Sequence, residues 1–274
     1  MSFVIQIKPS QVALLKSVFS CCFSALLVTV ALSAAADPPN PAAQQQMLDK
    51  LRQYAGRYLD NLPNFVCSRV TEQYDAGKKP GNWRQRDTLT AKLIFNQGKE
   101  NQTLELVNGK PIRAGHYINQ PLATEVEFGG LVSNVLDERA DAEISWSRWE
   151  DLRGHKLAVF AYTVDRQHSR VTLGVGGIAA TVPFRGLIFA DAGTGELWRI
   201  TSEAFDIPDA ADAKSITTTV DYGSVDINNK RFNLPVAASV WLNTGNRNIL
   251  NKVSFNNYRK FDAESKITFV TGSN

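Results

Sequence analysis

The stretch that decides the fold is Arg231-Phe-Asn-Leu-Pro-Val-Ala-Ala-Ser-Val-Trp-Leu242. Its apolar side chains alternate with others along the chain. One face carries Phe232, Leu234, Val236, Ala238, Val240 and Leu242. The opposite face carries Asn233, Pro235, Ala237, Ser239 and Trp241. Because successive side chains of a strand point to opposite faces, this period of two predicts a half-buried antiparallel strand.

Short polar turns separate this strand from its neighbours. Asn228-Asn229 precedes it, and Asn tolerates the positive φ of a tight hairpin turn. Asp191-Ala-Gly-Thr-Gly195 is a second turn signal. The alternation of the preceding strand slips at Gly223-Ser224, which predicts a β-bulge there. Residues 184–269 therefore predict an antiparallel meander, with Ser265–Val270 as its last strand.

The N-terminus predicts a secretory signal peptide. Lys8 and Lys16 precede an apolar run, Ser17–Leu32, which ends in Ser33-Ala-Ala-Ala-Asp37. A basic region, an apolar core and a small-residue site predict cleavage after Ala36 and a periplasmic or secreted protein. The uncharged run approaches the length that spans a bilayer, so a retained membrane anchor is the alternative.

Composition bounds the remaining chain, residues 37–274. Without Lys8 and Lys16 it carries 28 basic and 27 acidic residues, and this balance argues against a nucleic-acid partner. Cys67 is its only cysteine, so no internal disulfide can form. We find no repeat and no interdomain linker, and we predict a single domain with no stable membrane span after cleavage.

Two helices are predicted beside the strands. The first runs from Pro41 to Leu62, with Asn40 as N-cap, an apolar stripe at three- and four-residue spacing and Pro63 as its stop. A shorter helix is predicted from Glu125 to Glu138. Further strands are predicted at 65–74, 87–96, 101–107, 143–148, 157–165, 169–175 and 184–190. The fold class is α+β, mostly β.

No catalytic signature stands out. Gly174-Val-Gly-Gly-Ile-Ala179 matches a dinucleotide-binding pattern, but Pro183 and a strand follow it where that motif requires a helix. The three histidines, His116, His155 and His168, have no metal-ligand spacing. The sequence therefore predicts a protein that is not an enzyme and binds no cofactor or metal.

Tryptophans mark a possible surface of the sheet. Trp241 lies opposite the apolar face of its strand, and Trp198 shares a strand face with Ile200. Either a helix or loop covers these rings, or they form an outer face that binds carbohydrate or a protein partner. The sequence leaves both readings open.

Several quoted motifs together resemble a known family. They are Gly186-Leu-Ile-Phe189, Asp191-Ala-Gly-Thr-Gly-Glu-Leu-Trp-Arg-Ile200, Asp221-Tyr-Gly-Ser-Val225 and Phe232-Asn-Leu-Pro235. With a leader and a leading amphipathic helix, this set resembles the outer-membrane lipoprotein carrier (LolA-like) superfamily, which also holds the periplasmic sensors of the RseB/MucB type. The resemblance covers about the last third of the chain well and the rest by element order.

The resemblance implies a curved antiparallel sheet, an open half-barrel, with the N-terminal helix and the short second helix packed on it. It implies a binding protein that takes up a lipid, a lipoprotein acyl chain or another apolar ligand. The residues we expect to line the hollow are Phe232, Val236, Val240, Val253 and Phe255. The alternative is a module that binds another envelope protein through the outer face, with Trp198 and Trp241.

Overall fold

The computed structural model describes residues 37–112, 128–175, 178–209 and 213–261. None of the helices in these ranges is long and apolar enough to cross a membrane. The leader, the predicted start of the second helix and the predicted strand Ser265–Val270 lie outside the described residues.

Helix α1 spans Pro41–Asp60, close to its predicted bounds. The Ala43 amide donates to Asn40 Oδ1 at 2.9 Å, which confirms the predicted N-cap. The helix ends at Asn61, whose amide still reaches the Arg57 carbonyl. One stripe of the helix is buried against the sheet and comprises Met47, Leu48, Leu51, Ala55 and Tyr58.

Thirteen strands are described. They are β1 (Phe65–Ala76), β2 (Arg84–Asn96), β3 (Lys99–Val107), β4 (Lys110–Pro111), β5 (Glu143–Leu152), β6 (His155–Val164), β7 (Thr172–Val175), β8 (Ile178–Thr181), β9 (Phe184–Ala190), β10 (Leu197–Ala204), β11 (Ser215–Ile227), β12 (Lys230–Asn243) and β13 (Asn248–Lys260). Eleven form one antiparallel sheet in the order β4-β3-β2-β1-β13-β12-β11-β10-β9-β6-β5.

This sheet is the open half-barrel that the family resemblance implies. Strands β9 to β13 follow one another as a meander, and β13 then pairs with β1. The outermost strands of the order, β4 and β5, are consecutive along the chain and do not pair with each other, so the sheet stays open.

Tight turns set the register of the hairpins. At Asn108-Gly109, Arg153-Gly154 and Asn228-Asn229 both central residues have positive φ. Two left-handed residues in a row are typical of the two-residue turn that matches strand twist. The Asn228-Asn229 position confirms the turn predicted there from the sequence.

Two local predictions were wrong. The bulge expected at Gly223-Ser224 is a register shift between Asp221 and Tyr222, where Val236 of β12 is the extra residue. The strand predicted at 169–175 does not join the main sheet. Strands β6 and β9 pair directly along their length and leave no position for a strand between them. Strand β7 therefore forms a separate hairpin with β8.

The second helix, α2, spans Gly130–Leu136 and is followed by a short 3-10 helix, Glu138–Ala140. Gly129 precedes α2 with a φ of 93°. A Cβ at Gly129 would lie 3.1 Å from Leu59 and 3.3 Å from Leu62, so the glycine lets α2 pack closely on the end of α1.

One large core fills the space between the helices and the inner face of the sheet. Residues of α1 and α2 meet inner-face residues of β1, β2, β6, β9 to β13 in it. Phe65 is its aromatic centre, with ring centroids 5.1–5.2 Å from those of Phe95, Phe128 and Tyr258. The helix-covered end of the half-barrel is therefore packed with the protein's own side chains.

Candidate functional site

A cleft of about 340 Å³ opens where α1 ends above β12, and we call it the helix cleft. Its lining is mainly aromatic and aliphatic. It comprises Tyr54, Tyr58, Asn61, Leu62, Pro63, Glu196, Arg231, Phe232, Asn233 and Leu234. The volume lies near the lower end of the range for small-molecule sites, about 300–1,000 Å³.

Tyr58 lines this cleft and carries a buried hydroxyl. Its ring stacks on Tyr54 and meets Tyr222 edge-on, both at 6.0 Å between centroids. Its hydroxyl is buried and makes no hydrogen bond within the described residues. Burial raises the pKa of Tyr58 well above its usual value, so the group stays a neutral O–H that can donate or accept. Buried polar groups rarely lack a partner, and one beside a cleft suits a ligand.

A second cleft, of about 360 Å³, lies beside the first, and we call it the Trp198 cleft. Its lining is Arg153, His155, Glu196, Leu197, Trp198, Tyr222, Gly223, Ser224 and Asn233. Glu196 and Asn233 line both clefts.

Asn233 separates the two clefts. Its Nδ2 donates to the Tyr54 hydroxyl at 2.9 Å and to the Leu197 carbonyl at 2.7 Å. This pair of hydrogen bonds ties α1 to β10 and β12.

Glu196 is the charged group shared by both clefts. Its carboxylate is half-buried and makes no hydrogen bond or ion pair among the residues described. Desolvation, followed by the nearby charge of Asp191, raises the pKa of Glu196. A carboxylate without a partner, with a raised pKa and in a cleft, is a candidate for binding the polar group of a ligand.

Two arginines bind Asp221, and one of them, Arg153, lines the Trp198 cleft. Arg199 donates to the two Asp221 oxygens at 2.7 and 3.0 Å, and Arg153 donates to Oδ1 at 2.9 Å. Arg153 also donates to the Tyr222 carbonyl at 3.1 Å. Paired charge-assisted hydrogen bonds of this kind hold the hairpin turn of β5 and β6 against β11.

A larger cleft, of about 710 Å³, lies between α1, α2 and β5. Leu59, Val135 and Ile144 contribute to its apolar floor. Charged side chains line it as well and include Arg52, Asp60, Asp137, Glu138, Arg139 and Asp141. Hydrogen bonds from Arg139 hold the pKa of the Asp137 carboxyl well below its usual range, so the pair is already satisfied internally.

The predicted lining residues fall into different environments. Phe232 is half-buried and lines the helix cleft. Val236 is half-buried too, and its methyl groups lie against Gly223. Of the five, the structure thus brings Phe232 to a cleft.

The other three predicted lining residues are buried: Val240, Val253 and Phe255. Phe255 meets Phe128 edge-on, with ring centroids 4.9 Å apart, inside the main core. Val253 belongs to the same core. Contact between these side chains and a ligand stays a prediction.

The two outer-face tryptophans also differ. Trp198 is half-buried on a small apolar cluster, beneath His155 at 4.4 Å between ring centroids and Arg153 at 5.7 Å. Trp241 is 37% exposed. Among the described residues it is the one large apolar side chain that is exposed. The protein thus covers Trp198 and leaves Trp241 open to solvent.

Sequence reasoning missed Tyr54, Tyr58 and Glu196. The two tyrosines stand four residues apart in the apolar stripe of the helix, which predicts only that they face the sheet. Glu196 follows the Asp191–Gly195 turn, where a surface carboxylate is the usual reading. Within the described ranges no group of three or more His, Cys, Asp or Glu side chains could hold a metal ion.

No protein-family model and no curated protein matches the chain. Solved structures do. An outer-membrane lipoprotein-sorting protein domain from Vibrio parahaemolyticus matches with 9% identity and a TM-score of 0.41, over 82% of this chain and 95% of its own. A LolA superfamily protein from Nitrosomonas europaea matches with 11% identity and a TM-score of 0.32, over 82% and 96%.

A third solved structure, a DUF1329 family protein from Desulfovibrio piger, has 9% identity and a TM-score of 0.40, over 81% of this chain and 95% of its own. The first two carry names of the superfamily that the sequence resembles. The chain is similar to all three over most of its length. At these identities and TM-scores no residue role is transferred, and the proposals below stand on this chain's own residues.

Proposed function

We propose that the protein is a non-catalytic binding protein of the bacterial periplasm that holds an amphiphile, a lipid or the acyl chain of a lipoprotein. The apolar part of the ligand would occupy the helix cleft. The observation that carries this proposal is the buried, unpartnered Tyr58 hydroxyl beside the apolar part of the lining, Leu62, Phe232 and Leu234.

The energetics favour a ligand with both an apolar and a polar part. Each buried methylene contributes about 0.8 kcal/mol, so a segment of about six gives about 5 kcal/mol and a dissociation constant near 0.2 mM. Tighter binding needs further contacts. Tyr58 can donate to an ester or carboxyl oxygen, and Arg231 is exposed at the same cleft. Glu196 can accept from a hydroxyl or ammonium group of the same ligand.

Native mass spectrometry of the protein purified from a bacterial periplasm tests the proposal. We expect a co-purifying amphiphile, lost from Phe232→Ser and retained by Phe205→Ser, a half-buried phenylalanine under Arg185 and outside the helix cleft. Titration with 11-(dansylamino)undecanoic acid, a fluorescent fatty acid, should likewise show binding by the wild type and Phe205→Ser and loss of binding by Phe232→Ser. An empty wild-type protein that also fails to bind this probe overturns the proposal.

A second candidate function is docking of another envelope protein on the outer face of the sheet. The 37% exposure of Trp241 favours it. Trp198 adds little, because His155 and Arg153 already lie over it. Photo-crosslinking from position 241 in cells tests it, and capture of one defined envelope protein is the supporting outcome.

A further inference from the structure

We propose that the outer face of the sheet around Trp83 and Trp241 docks the protein on an anionic lipid surface. This Trp83–Trp241 surface comprises the two indoles, the side chains of Tyr74 and Leu250 beside them, and the basic residues around them. It is separate from the helix cleft, and the proposal does not rest on the function proposed for that cleft.

The surface is a row of side chains across three strands. Trp241 of β12 stands opposite Leu250 of β13, and Leu250 stands opposite Tyr74 of β1. Side chains opposite each other on adjacent strands point to the same face and contact one another. Trp83, just before β2, meets Trp241 edge-on at 6.5 Å between ring centroids. Four apolar or aromatic side chains thus form one patch, at the end of the strands where β1 and β12 finish and β13 begins.

Trp241 is held in place although it is exposed. Its Nε1–H donates to Asn248 Oδ1 at 3.1 Å. Asn248 is fully buried, and its Nδ2 donates to the Gly77 carbonyl at 2.7 Å. The polar atom of the indole is therefore satisfied within the protein, and the part left open to solvent is apolar ring. A rigid ring of this kind loses little conformational entropy when it enters an interface.

Cations surround the patch. Lys78 and Lys79 of the β1–β2 loop are exposed and form no ion pair among the described residues. The Lys252 ammonium lies 5.1 Å from the centre of the Tyr74 ring. Two acidic residues lie in this region. Glu72, opposite Lys252 on the same face, accepts a hydrogen bond from the Tyr74 hydroxyl at 2.8 Å. Asp75 is bound by two arginines, Arg86 and Arg247, each at 3.2 Å.

This combination matches the chemistry of a lipid surface. Trp and Tyr favour the level of lipid head groups, where the ring is apolar on one side and wet on the other. Lysines next to such rings are attracted to anionic head groups, at about 1 kcal/mol each. The charges are spread over the β1–β2 loop and the face of β13, which suits a layer of negative head groups. We therefore commit to the lipid surface.

Vesicle co-sedimentation tests the proposal. Wild-type protein is mixed with vesicles of phosphatidylglycerol and phosphatidylethanolamine, or with phosphatidylcholine alone, at low and at high salt. We expect binding to the anionic vesicles that weakens with salt. Lys78→Gln/Lys79→Gln should weaken it about 25-fold, since each charge is worth about fivefold.

Matched variants separate the surface from general charge effects. Lys99→Gln/Lys230→Gln removes the same charge from two exposed turns at the opposite ends of the strands from Trp83 and Trp241. This variant should bind vesicles like the wild type. Trp241→Ala should also weaken binding, provided that circular dichroism shows it folded. Phe232→Ser, which disrupts the helix cleft, should leave vesicle binding unchanged.

Three outcomes overturn the proposal. The first is no binding to anionic vesicles at low salt. The second is equal binding to phosphatidylcholine. The third is equal weakening by the two lysine pairs. Capture of a protein partner at position 241, without vesicle binding, would assign the surface to protein docking instead.

Discussion

Gly195 packs backbone to backbone against Lys50 of α1. Gly195 has a φ of +75°, and a Cβ placed there would overlap the Lys50 carbonyl and lie 2.7 Å from the Leu51 amide nitrogen. Only glycine fits this contact. The turn that follows β9 thereby sets the position of α1 on the sheet, and with it the width of the helix cleft.

We expect Gly195→Ala to lower the free energy of unfolding by roughly 2–5 kcal/mol, from left-handed strain and the clash with α1 together. Gly98→Ala is the matched control, because Gly98 has a φ of +74° and open space around it. It should cost about 1–2 kcal/mol. Urea denaturation measures both. Equal losses for the two variants would contradict the contact with α1.

Tyr58→Phe removes a buried hydroxyl that makes no hydrogen bond in the described part of the chain. We expect unchanged stability or a gain of up to about 1–2 kcal/mol, because an unsatisfied buried polar group is lost. Affinity for the dansylated fatty acid should fall in the same variant. A large loss of stability would show that the hydroxyl has a structural role.

Tyr162→Phe is the comparison for that result. The Tyr162 hydroxyl donates to the Thr201 carbonyl at 2.7 Å, and Gly186 leaves room for this contact. Deleting it leaves a buried carbonyl short of a donor, so we expect a loss of about 1–3 kcal/mol. Thermal unfolding of the two variants should show changes in stability relative to the wild type that differ in sign or clearly in size.

Asp221→Asn weakens the hydrogen bonds from Arg199 and Arg153 to a largely buried carboxylate. We expect a loss of about 1.5–3 kcal/mol in the free energy of unfolding. Asp226→Asn is the control, because its ion pair with Arg231 spans 3.7 Å between exposed side chains. It should change stability by less than about 1 kcal/mol. Similar effects for both variants would refute the role assigned to Asp221.

Glu196→Gln tests the raised pKa of Glu196. Below its usual pKa of 4.5 the residue is protonated both folded and unfolded, so ionisation makes no difference there. As the pH rises through the raised folded-state pKa, ionisation costs the wild type stability. The stability of the variant relative to the wild type should therefore increase from pH 4 upward and then level off, by less than about 1 kcal/mol for a half-exposed group.

Asp209→Asn should show the opposite pH dependence. A hydrogen bond from Lys214 lowers the pKa of Asp209, so its carboxylate stabilises the folded chain above the unfolded-state pKa. This stabilisation is lost as the pH falls through the lowered value. Thermal melts from pH 3 to 7 on both variants would reveal the two slopes, and slopes of the same sign would contradict both assignments.

The sequence predicted the meander and the first helix well because their signals are local. Alternation in β12 and the Asn40 cap with Pro41 depend only on neighbouring residues. It misplaced the bulge, because Val236 becomes the extra residue only through its pairing with β11. It also placed the strand at 169–175 in the main sheet, since alternation does not show which strands pair.

The candidate site was less predictable than the fold. Phe232 lines a cleft, whereas Phe255 meets Phe128, a contact between positions far apart in the chain. Tyr58 gained its significance from the absence of a partner for its hydroxyl, which depends on every side chain packed around it. No sequence pattern reports such an absence.

The pairing of β1 with β13 also bears on the order of events during synthesis. Phe65 pairs with Lys260, so about 195 residues must be made after the first strand before its neighbour exists. At about 5–20 residues per second this takes roughly 10–40 s. Until then the edge of β1 that pairs with β13 is open, and strands β1 to β4 are not joined to the rest of the main sheet. A chain with this topology cannot complete its main sheet until the residues of β13 have been made, so β1 must wait for its second neighbour.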